Sequence, residues 1–169
     1  MAKSTVKYSI ICGVFLFTLF FVSLKFGGNP FFNIRHYFFD IVIFFLFIFF
    51  AGKEFKDFKY NGCLHFWQGI SIGFIVFIPA AIVFSLLLYI TFELNPELME
   101  GYRKAAKAFI ESKEDILLEE FSSEKLSEQY SAVDVISTSE LALKTFWKKL
   151  FMGFFVTPIV SIILRRKPK

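Results

Sequence analysis

The stretch at residues 60–92 decides the fold: YNGCLHFWQGISIGFIVFIPAAIVFSLLLYITF, 33 residues without a single Asp, Glu, Lys or Arg. About 20 apolar residues are enough to cross a bilayer whose hydrocarbon core is roughly 30 Å thick. As one helix this stretch would reach about 50 Å, so it must tilt, kink or protrude. Pro79 predicts a kink, because proline leaves the Ile75 carbonyl without its N–H partner.

Three further apolar runs flank this stretch on both sides. Residues 8–24 and 150–164 also carry no charged side chain, and residues 41–52 form a shorter run that can cross only if it starts near His36. We predict spans at about 8–26, 36–52, 64–92 and 145–164, the last kinked at Pro158. The chain is therefore expected to be an all-α polytopic membrane protein with four transmembrane helices.

Composition supports a membrane protein and excludes other classes. The chain of 169 residues is 56% hydrophobic and 21% aromatic, which excludes an ordinary soluble domain and a disordered chain. Its net charge of +4 comes from basic residues at the ends of the spans, and no basic stripe interleaved with aromatics predicts nucleic-acid binding. The first run could be a signal peptide, but it lacks an A-x-A-like cleavage site, which favours a retained helix.

Residues 93–139 form the one sizeable polar segment, and its apolar residues recur at helical spacing. The Asn95-Pro96 pair precedes an expected amphipathic helix, with a second short helix at about 124–130. Ser137 and Glu140 have capping-box spacing, so the last helix should begin near Thr138. The expected apolar face comprises Leu98, Tyr102, Ala105, Phe109, Ile116, Leu117 and Phe121, opposite Arg103, Lys104, Lys107, Glu111 and Glu114.

The distribution of charge predicts the orientation. One side collects nine basic residues against two acids, Glu54 and Asp57, and basic flanks remain in the cytoplasm. Both termini should therefore be cytoplasmic, and the polar segment extracytoplasmic. At the head of the last span, Phe146 and Trp147 should lie at the interface. Lys148 and Lys149 should snorkel to the surface. The nine basic residues are Lys3, Lys7, Lys53, Lys56, Lys59, Arg165, Arg166, Lys167 and Lys169.

His36 and Asp40 are the candidate intramembrane polar site, since their i, i+4 spacing puts them on one helix face. An ionisable residue within a span suggests a function, such as relaying a proton or holding a cation. The alternative is that Asp40 is hydrated near the interface or paired with Arg35 or a lysine, such as Lys148. In either case Asp40 should point into the bundle, because a carboxylate that faces lipid without a partner is costly.

Small residues predict close helix packing on the third span. Gly69 and Gly73 form a G-x-x-x-G pattern, and Gly62 and Ala80 extend the same face at seven-residue spacing. This face could pack within the chain or support dimerisation. Pro79 and Pro158 complete the expected helix-packing positions.

Several motifs resemble those of a family of small Gram-negative membrane proteins, domain of unknown function 4199. The motifs are EFKDFKYNG at residues 54–62, FWQG at residues 66–69 with Gly73, NPELMEGY at residues 95–102 and IILRRK at residues 162–167. The resemblance implies four spans, a short charged hairpin, an extracytoplasmic polar helix, a basic tail and the bacterial inner membrane. It implies no activity.

The sequence predicts neither a catalytic centre nor a cofactor or metal site. Cys12 and Cys63 are expected to be apolar fillers without a disulfide, and no histidine lies in the polar segment to activate its serines. We expect a non-catalytic accessory or assembly subunit, in contact with lipid and with another membrane protein or a second copy. A small oligomeric transporter or channel subunit that uses Asp40 is the alternative, and an enzyme is a third class.

Overall fold

The described part of the chain folds into six helices. The computed structural model describes residues 2–26, 29–59, 62–113 and 123–165, and within them every regular element is a helix. This confirms the predicted all-α class. The helices are α1 (Ala2–Phe26), α2 (Ile34–Lys59), α3 (Phe66–Leu94), α4 (Pro96–Glu111), α5 (Ser123–Val135) and α6 (Thr138–Leu164).

Four helices, α1, α2, α3 and α6, are long and apolar enough to cross a membrane, which confirms the four predicted transmembrane helices. Even the shortest qualifying stretch, 21 residues of α1, spans about 31 Å, close to the thickness of the hydrocarbon core. The second helix extends seven residues past the apolar run and ends at Lys59. On this extension Glu54 accepts a hydrogen bond from the Tyr8 hydroxyl at 2.6 Å, which ties α2 to α1.

The central helix of the bundle is α3, which packs most extensively against α6 and α1. The α2 helix contacts α6, α3 and α1. Because α1 and α3 run opposite to α2 and α6, the starts of α2 and α6 lie at the same end of the bundle as α4. Rings and branched side chains fill the interior, among them Leu16, Phe44, Phe77, Phe84 and Leu88.

Pro79 lies within α3, and a neighbouring helix satisfies the carbonyl that it leaves unpaired. The Ser9 hydroxyl of α1 donates to the Ile75 carbonyl at 2.8 Å. A backbone carbonyl in hydrocarbon costs several kcal/mol without a partner, so this bond stabilises the α1–α3 contact. Close packing accompanies it, because a Cβ atom on Gly13 would lie 2.7 Å from the Ala80 carbonyl oxygen.

The polar segment differs from the prediction of one helix reaching Phe121, because α4 ends at Glu111. Backbone bonds from Ser112 to Ala108 and from Lys113 to Ile110 close the last turn, and the Ser112 hydroxyl bonds back to the Phe109 carbonyl. Local hydrogen bonds thus end the helix before its apolar pattern ends. The remaining residues of the predicted faces, Glu114, Ile116, Leu117 and Phe121, lie outside the described residues.

The α4 helix lies on aromatic rings from the connection between α1 and α2. Phe31 meets the Tyr102 ring edge-on at 4.9 Å, and Phe32 stacks on the rings of Tyr102 and Phe109 at 5.9 and 4.9 Å. The apolar face of α4 therefore packs against the ends of the spans. Burial, with help from the Tyr37 hydroxyl and the Glu140 carboxylate, raises the pKa of the Tyr102 hydroxyl, which stays neutral well above pH 7.

The inward face of α4 is rotated relative to the prediction. Met99, Ala106 and Ile110 are its buried residues, and Arg103, which was expected to point outward, lies between them in the helical register. The Arg103 guanidinium donates to the Ile136 carbonyl at 3.0 Å. Because the Ile136 carbonyl accepts this hydrogen bond, the Arg103 guanidinium can lie on the inward face of α4.

An ion pair and a cap order the end of the polar segment. Lys107 pairs with Asp134 of α5 at 2.7 Å, and α5 is longer than the short helix predicted at 124–130. The predicted start of α6 near Thr138 is confirmed, because the Ser137 hydroxyl accepts a bond from the Glu140 amide at 3.2 Å.

Candidate functional site

Charged and polar side chains meet inside the bundle near the α4 end of α2 and α6. The α2 helix contributes His36 and Asp40, one turn apart, and α6 contributes Thr145 and Lys149. Asp40 is 1% exposed, Lys149 4% and His36 6%, so all three ionisable groups are removed from the surroundings of the bundle. Thr145 directs its hydroxyl to the Leu141 carbonyl of its own helix at 2.7 Å.

Lys149 and Asp40 form an ion pair between α6 and α2. The Lys149 ammonium donates to Asp40 Oδ2, while His36 Nε2 lies 3.9 Å from Asp40 Oδ1. The same ammonium lies 4.4 Å from the centroid of the Phe84 ring on α3, a cation–π contact. One cation thus links three helices, and the Asp40 carboxylate has a full counter-charge.

Aromatic rings surround the ion pair. Phe20 of α1 packs edge-on against His36 at 5.6 Å, Phe84 at 5.5 Å and Phe31 at 4.9 Å. The cavity next to the pair has a volume of about 20 Å³, which is room for about one water molecule. His36 lines this space, and its Nε2 makes no hydrogen bond to another described residue.

The chemistry that this site can perform is limited. Across the described residues, no three His, Cys, Asp or Glu side chains are arranged to hold a metal ion. Cys12 and Cys63 are free thiols, Cys12 buried in α1 and Cys63 half-buried before α3. What the geometry provides is a neutralised carboxylate with a neighbouring imidazole.

The structure brings the two predicted site residues together and adds one that the prediction placed elsewhere. Asp40 faces the interior with a basic group in reach, as expected. The partner is Lys149, not Arg35 or Lys148, so the prediction that Lys149 snorkels to the surface is wrong. Lys148 is exposed, 3.4 Å from the Tyr37 hydroxyl. The position of Lys149 follows from its face of α6, which it shares with Gly153, Val156 and Val160, all buried.

The predicted glycine pair packs within the chain, at the α3–α6 contact. A Cβ atom on Gly73 would lie 2.3 Å from Thr157 Cγ2, and one on Gly69 would lie 2.9 Å from Ser161 Cβ. Thr157 and Ser161 bond to carbonyls of their own helix, so their hydroxyls are satisfied at this contact.

The two residues that were predicted to extend the face of Gly69 and Gly73 differ in the structure. Gly62 does not extend the glycine face, because it lies in the turn before α3 with φ +78°. Ala80 is buried, but it approaches Gly13 of α1. Pro158 lies inside α6, as Pro79 lies inside α3.

A comparison with protein families agrees with this architecture. Residues 7–166 match the family described as protein of unknown function, DUF4199. The chain belongs to this family. The match covers α1 from Lys7 onward, the whole of the other three transmembrane helices of this DUF4199 chain and the polar segment between α3 and α6. No curated protein and no solved structure matches it.

Proposed function

We propose that this DUF4199 chain is a non-catalytic accessory or assembly subunit of the bacterial inner membrane. Its partner is another membrane protein or a second copy of the chain, and nucleic acid is not a ligand. Both termini lie in the cytoplasm and α4 and α5 on the opposite side. The observation that carries the proposal is the Asp40–Lys149 ion pair, because it uses a carboxylate buried inside the bundle to hold α2 against α6.

The small cavity inside the bundle supports a role other than the transport of a solute through one copy of the chain. The cavity beside Asp40 has room for about one water molecule, Phe20 and Phe31 line it, and Phe84 packs against Phe20. A path for a solute needs space and polar groups that can bind and release the solute. Here the charges of Asp40 and Lys149 neutralise each other, and phenylalanine rings surround them. The pair therefore fits a device that sets the position of two helices.

The polar segment offers the contact surface outside the membrane. The Lys107–Asp134 ion pair and the Arg103–Ile136 bond connect α4 to α5 and to the start of α6. Outward-facing charged residues remain available to a partner, among them Glu97, Glu100, Lys104, Glu111 and Glu128. Because this surface of α4 and α5 carries both acidic and basic residues, it suits a protein partner with a complementary pattern of charges.

A transporter or channel subunit is the second candidate, and the meeting of His36, Asp40 and Lys149 favours it. Series of neighbouring ionisable side chains relay protons in membrane pumps and transporters. Such a subunit would require the charges themselves, whereas a structural pair can be replaced by apolar side chains of similar volume. This difference separates the two functions.

The test compares Asp40→Leu, Lys149→Met and the double variant D40L/K149M. Each single variant buries an unpaired group, so we expect it to lose about 3–5 kcal/mol of stability, whereas the double variant should melt near the native chain. We also expect the double variant to keep the membrane partner that co-purifies stoichiometrically with the native chain in mild detergent. Proton or cation conductance by the reconstituted native chain, absent from a normally folded double variant, would contradict the proposal.

A further inference from the structure

A groove runs along the membrane-facing surface between α2 and α6. Its volume is about 670 Å³, within the range of roughly 300–1,000 Å³ typical of small-molecule sites, and nearly all of its lining is carbon. The side chains that form its walls are largely exposed on the outside of the bundle. They include Ile41 of α2 and Trp147, Lys148, Phe151, Phe155 and Ile159 of α6.

The groove has the depth of one leaflet. Lys148 and Ile159 lie eleven residues apart on α6, which is about 16 Å along the helix axis. This distance is roughly half of the 30 Å hydrocarbon core. Trp147 lines the same end as Lys148, and tryptophan favours the interface between lipid and water. The groove therefore extends from the interface at the α4 end to about the middle of the bilayer.

Lys148 is the cation of α6 that lacks an acidic partner in the described part of the chain. Lys144 pairs with Glu140 at 2.8 Å and Lys149 pairs with Asp40. Lys148 instead has the Tyr37 hydroxyl at 3.4 Å and the Tyr37 ring centroid at 5.8 Å, both neutral partners. These contacts hold the ammonium beside Tyr37 and leave its charge without an acidic partner among the described residues.

We propose that this groove is a binding site for one anionic glycerophospholipid of the leaflet at the α4 end. An acyl chain would lie along the apolar walls formed by Phe151, Phe155 and Ile159, and the phosphate would pair with the Lys148 ammonium. The charge of Lys148 selects an anionic lipid over a zwitterionic one. This site opens on the outside of the bundle, whereas Asp40 and Lys149 face the interior. Lys148 and Met152 line both the groove and the small cavity beside that pair.

Fluorescence can test the proposal, because the chain has two tryptophans and Trp147 lines the groove while Trp67 does not. The Trp67→Phe variant would be reconstituted in vesicles of phosphatidylcholine that contain a small fraction of chain-brominated phosphatidylglycerol or chain-brominated phosphatidylcholine. We expect brominated phosphatidylglycerol to quench Trp147 with an apparent affinity about fivefold higher, the factor for one lysine at a membrane surface.

Matched variants distinguish a site from general charge attraction. In the Trp67→Phe background, Lys148→Gln should remove the preference, whereas Lys144→Gln, which removes the same charge one turn away, should preserve it. Equal quenching by both brominated lipids would overturn the proposal. So would a preference that both lysine variants reduce equally, or quenching of Trp147 that falls as protein density rises, since a second copy would then cover the groove.

Discussion

At the scale of single residues, Lys149 determines what Asp40 can do. The carboxylate on its own would face a desolvation cost inside the bundle, and the ammonium on its own would face a similar cost. In the structure the Lys149 ammonium pairs with the Asp40 carboxylate, and the Phe84 ring stabilises the ammonium further through a cation–π contact. Because removing either partner leaves a buried charge, the two residues act as one unit of structure.

Asp40 could be predicted from the sequence as a special residue, but its partner could not. A charge in an apolar run is visible at once, whereas Lys148 and Lys149 are adjacent and differ by about 100° around α6. The rotation of α6 decides between them. Its small residues, such as Gly153, face inward, and its bulky Phe151 and Phe155 face outward. Gly153 follows Lys149 by four residues and so shares its helix face, and this small residue is the sequence signal that indicates Lys149 as the inward-facing lysine.

The contact between Gly73 and Thr157 gives a prediction at this scale. In the Gly73→Ala variant the new methyl group would lie 2.3 Å from Thr157 Cγ2, so α3 and α6 would have to separate. We expect a loss of about 1–3 kcal/mol, the usual cost of overpacking, measured by thermal unfolding in detergent.

Gly101→Ala is the matched control for this prediction. Gly101 lies on the exposed side of α4, and a methyl group added there would have no other atom within 4 Å. Alanine is also the better helix former by about 1 kcal/mol. This variant should be neutral or stabilising. If both variants melted at the native temperature, the close α3–α6 contact would be wrong.

At the scale of elements, the connection between α1 and α2 supports α4. Phe31 belongs to the bundle interior and also touches Tyr102, while Phe32 extends the contact to Phe109. The apolar periodicity of α4 predicted a docked helix, since such a stripe has no core of its own. It could not show the rotation that places Arg103 inward, because the Ile136 carbonyl that receives Arg103 is 33 residues away in sequence.

Tyr102 tests this docking. The Tyr102→Ala variant removes both ring contacts, so α4 should exchange its amide hydrogens faster, while α3 serves as an internal reference in the same measurement. Tyr102→Phe keeps the rings and should exchange like the native chain. Unchanged exchange in Tyr102→Ala would show that the aromatic contacts do not hold α4.

The raised pKa of Tyr102 favours the neutral hydroxyl in the folded state. The contribution of this hydroxyl to the stability of the folded state is therefore complete below the ordinary tyrosine pKa of about 10. That contribution declines as pH rises through the higher folded value. We therefore expect the protection of α4 to be constant from pH 6 to 9 and to fall in the native chain at more alkaline pH. Tyr102→Phe should show less of this alkaline loss.

At the scale of the whole molecule, the two ends of the bundle differ in character. The end that contains the α2–α3 connection has the lysines of the last turns of α2, whereas the other end has α4 and α5. The number and approximate position of the spans could be predicted because lipid demands long apolar helices. The way in which the helices meet depends on contacts distant in sequence, such as Ser9 with Ile75, and could not be read from periodicity.

The orientation of the bundle can be tested with the native cysteines. Cys12 is buried, so a membrane-impermeant maleimide should label only Cys63, and only when applied to the cytoplasmic face in inverted vesicles. In the variant C63S/E100C, the new cysteine on the exposed side of α4 should be labelled in intact spheroplasts. Labelling of Cys63 from outside would reverse the proposed topology.

The separation of Asp40 and Lys149 along the chain has a consequence for biogenesis. The two residues lie 109 positions apart, and a ribosome adds about 5–20 residues per second. The carboxylate therefore waits roughly 5–20 s before its lysine has even been synthesised. During that interval α2 is held by its apolar length and by its contacts with α1 and α3, so without the ion pair to α6 it can still slide towards the headgroups. Arrival of the final helix ends this freedom, and the last segment to be translated fixes the depth of the second.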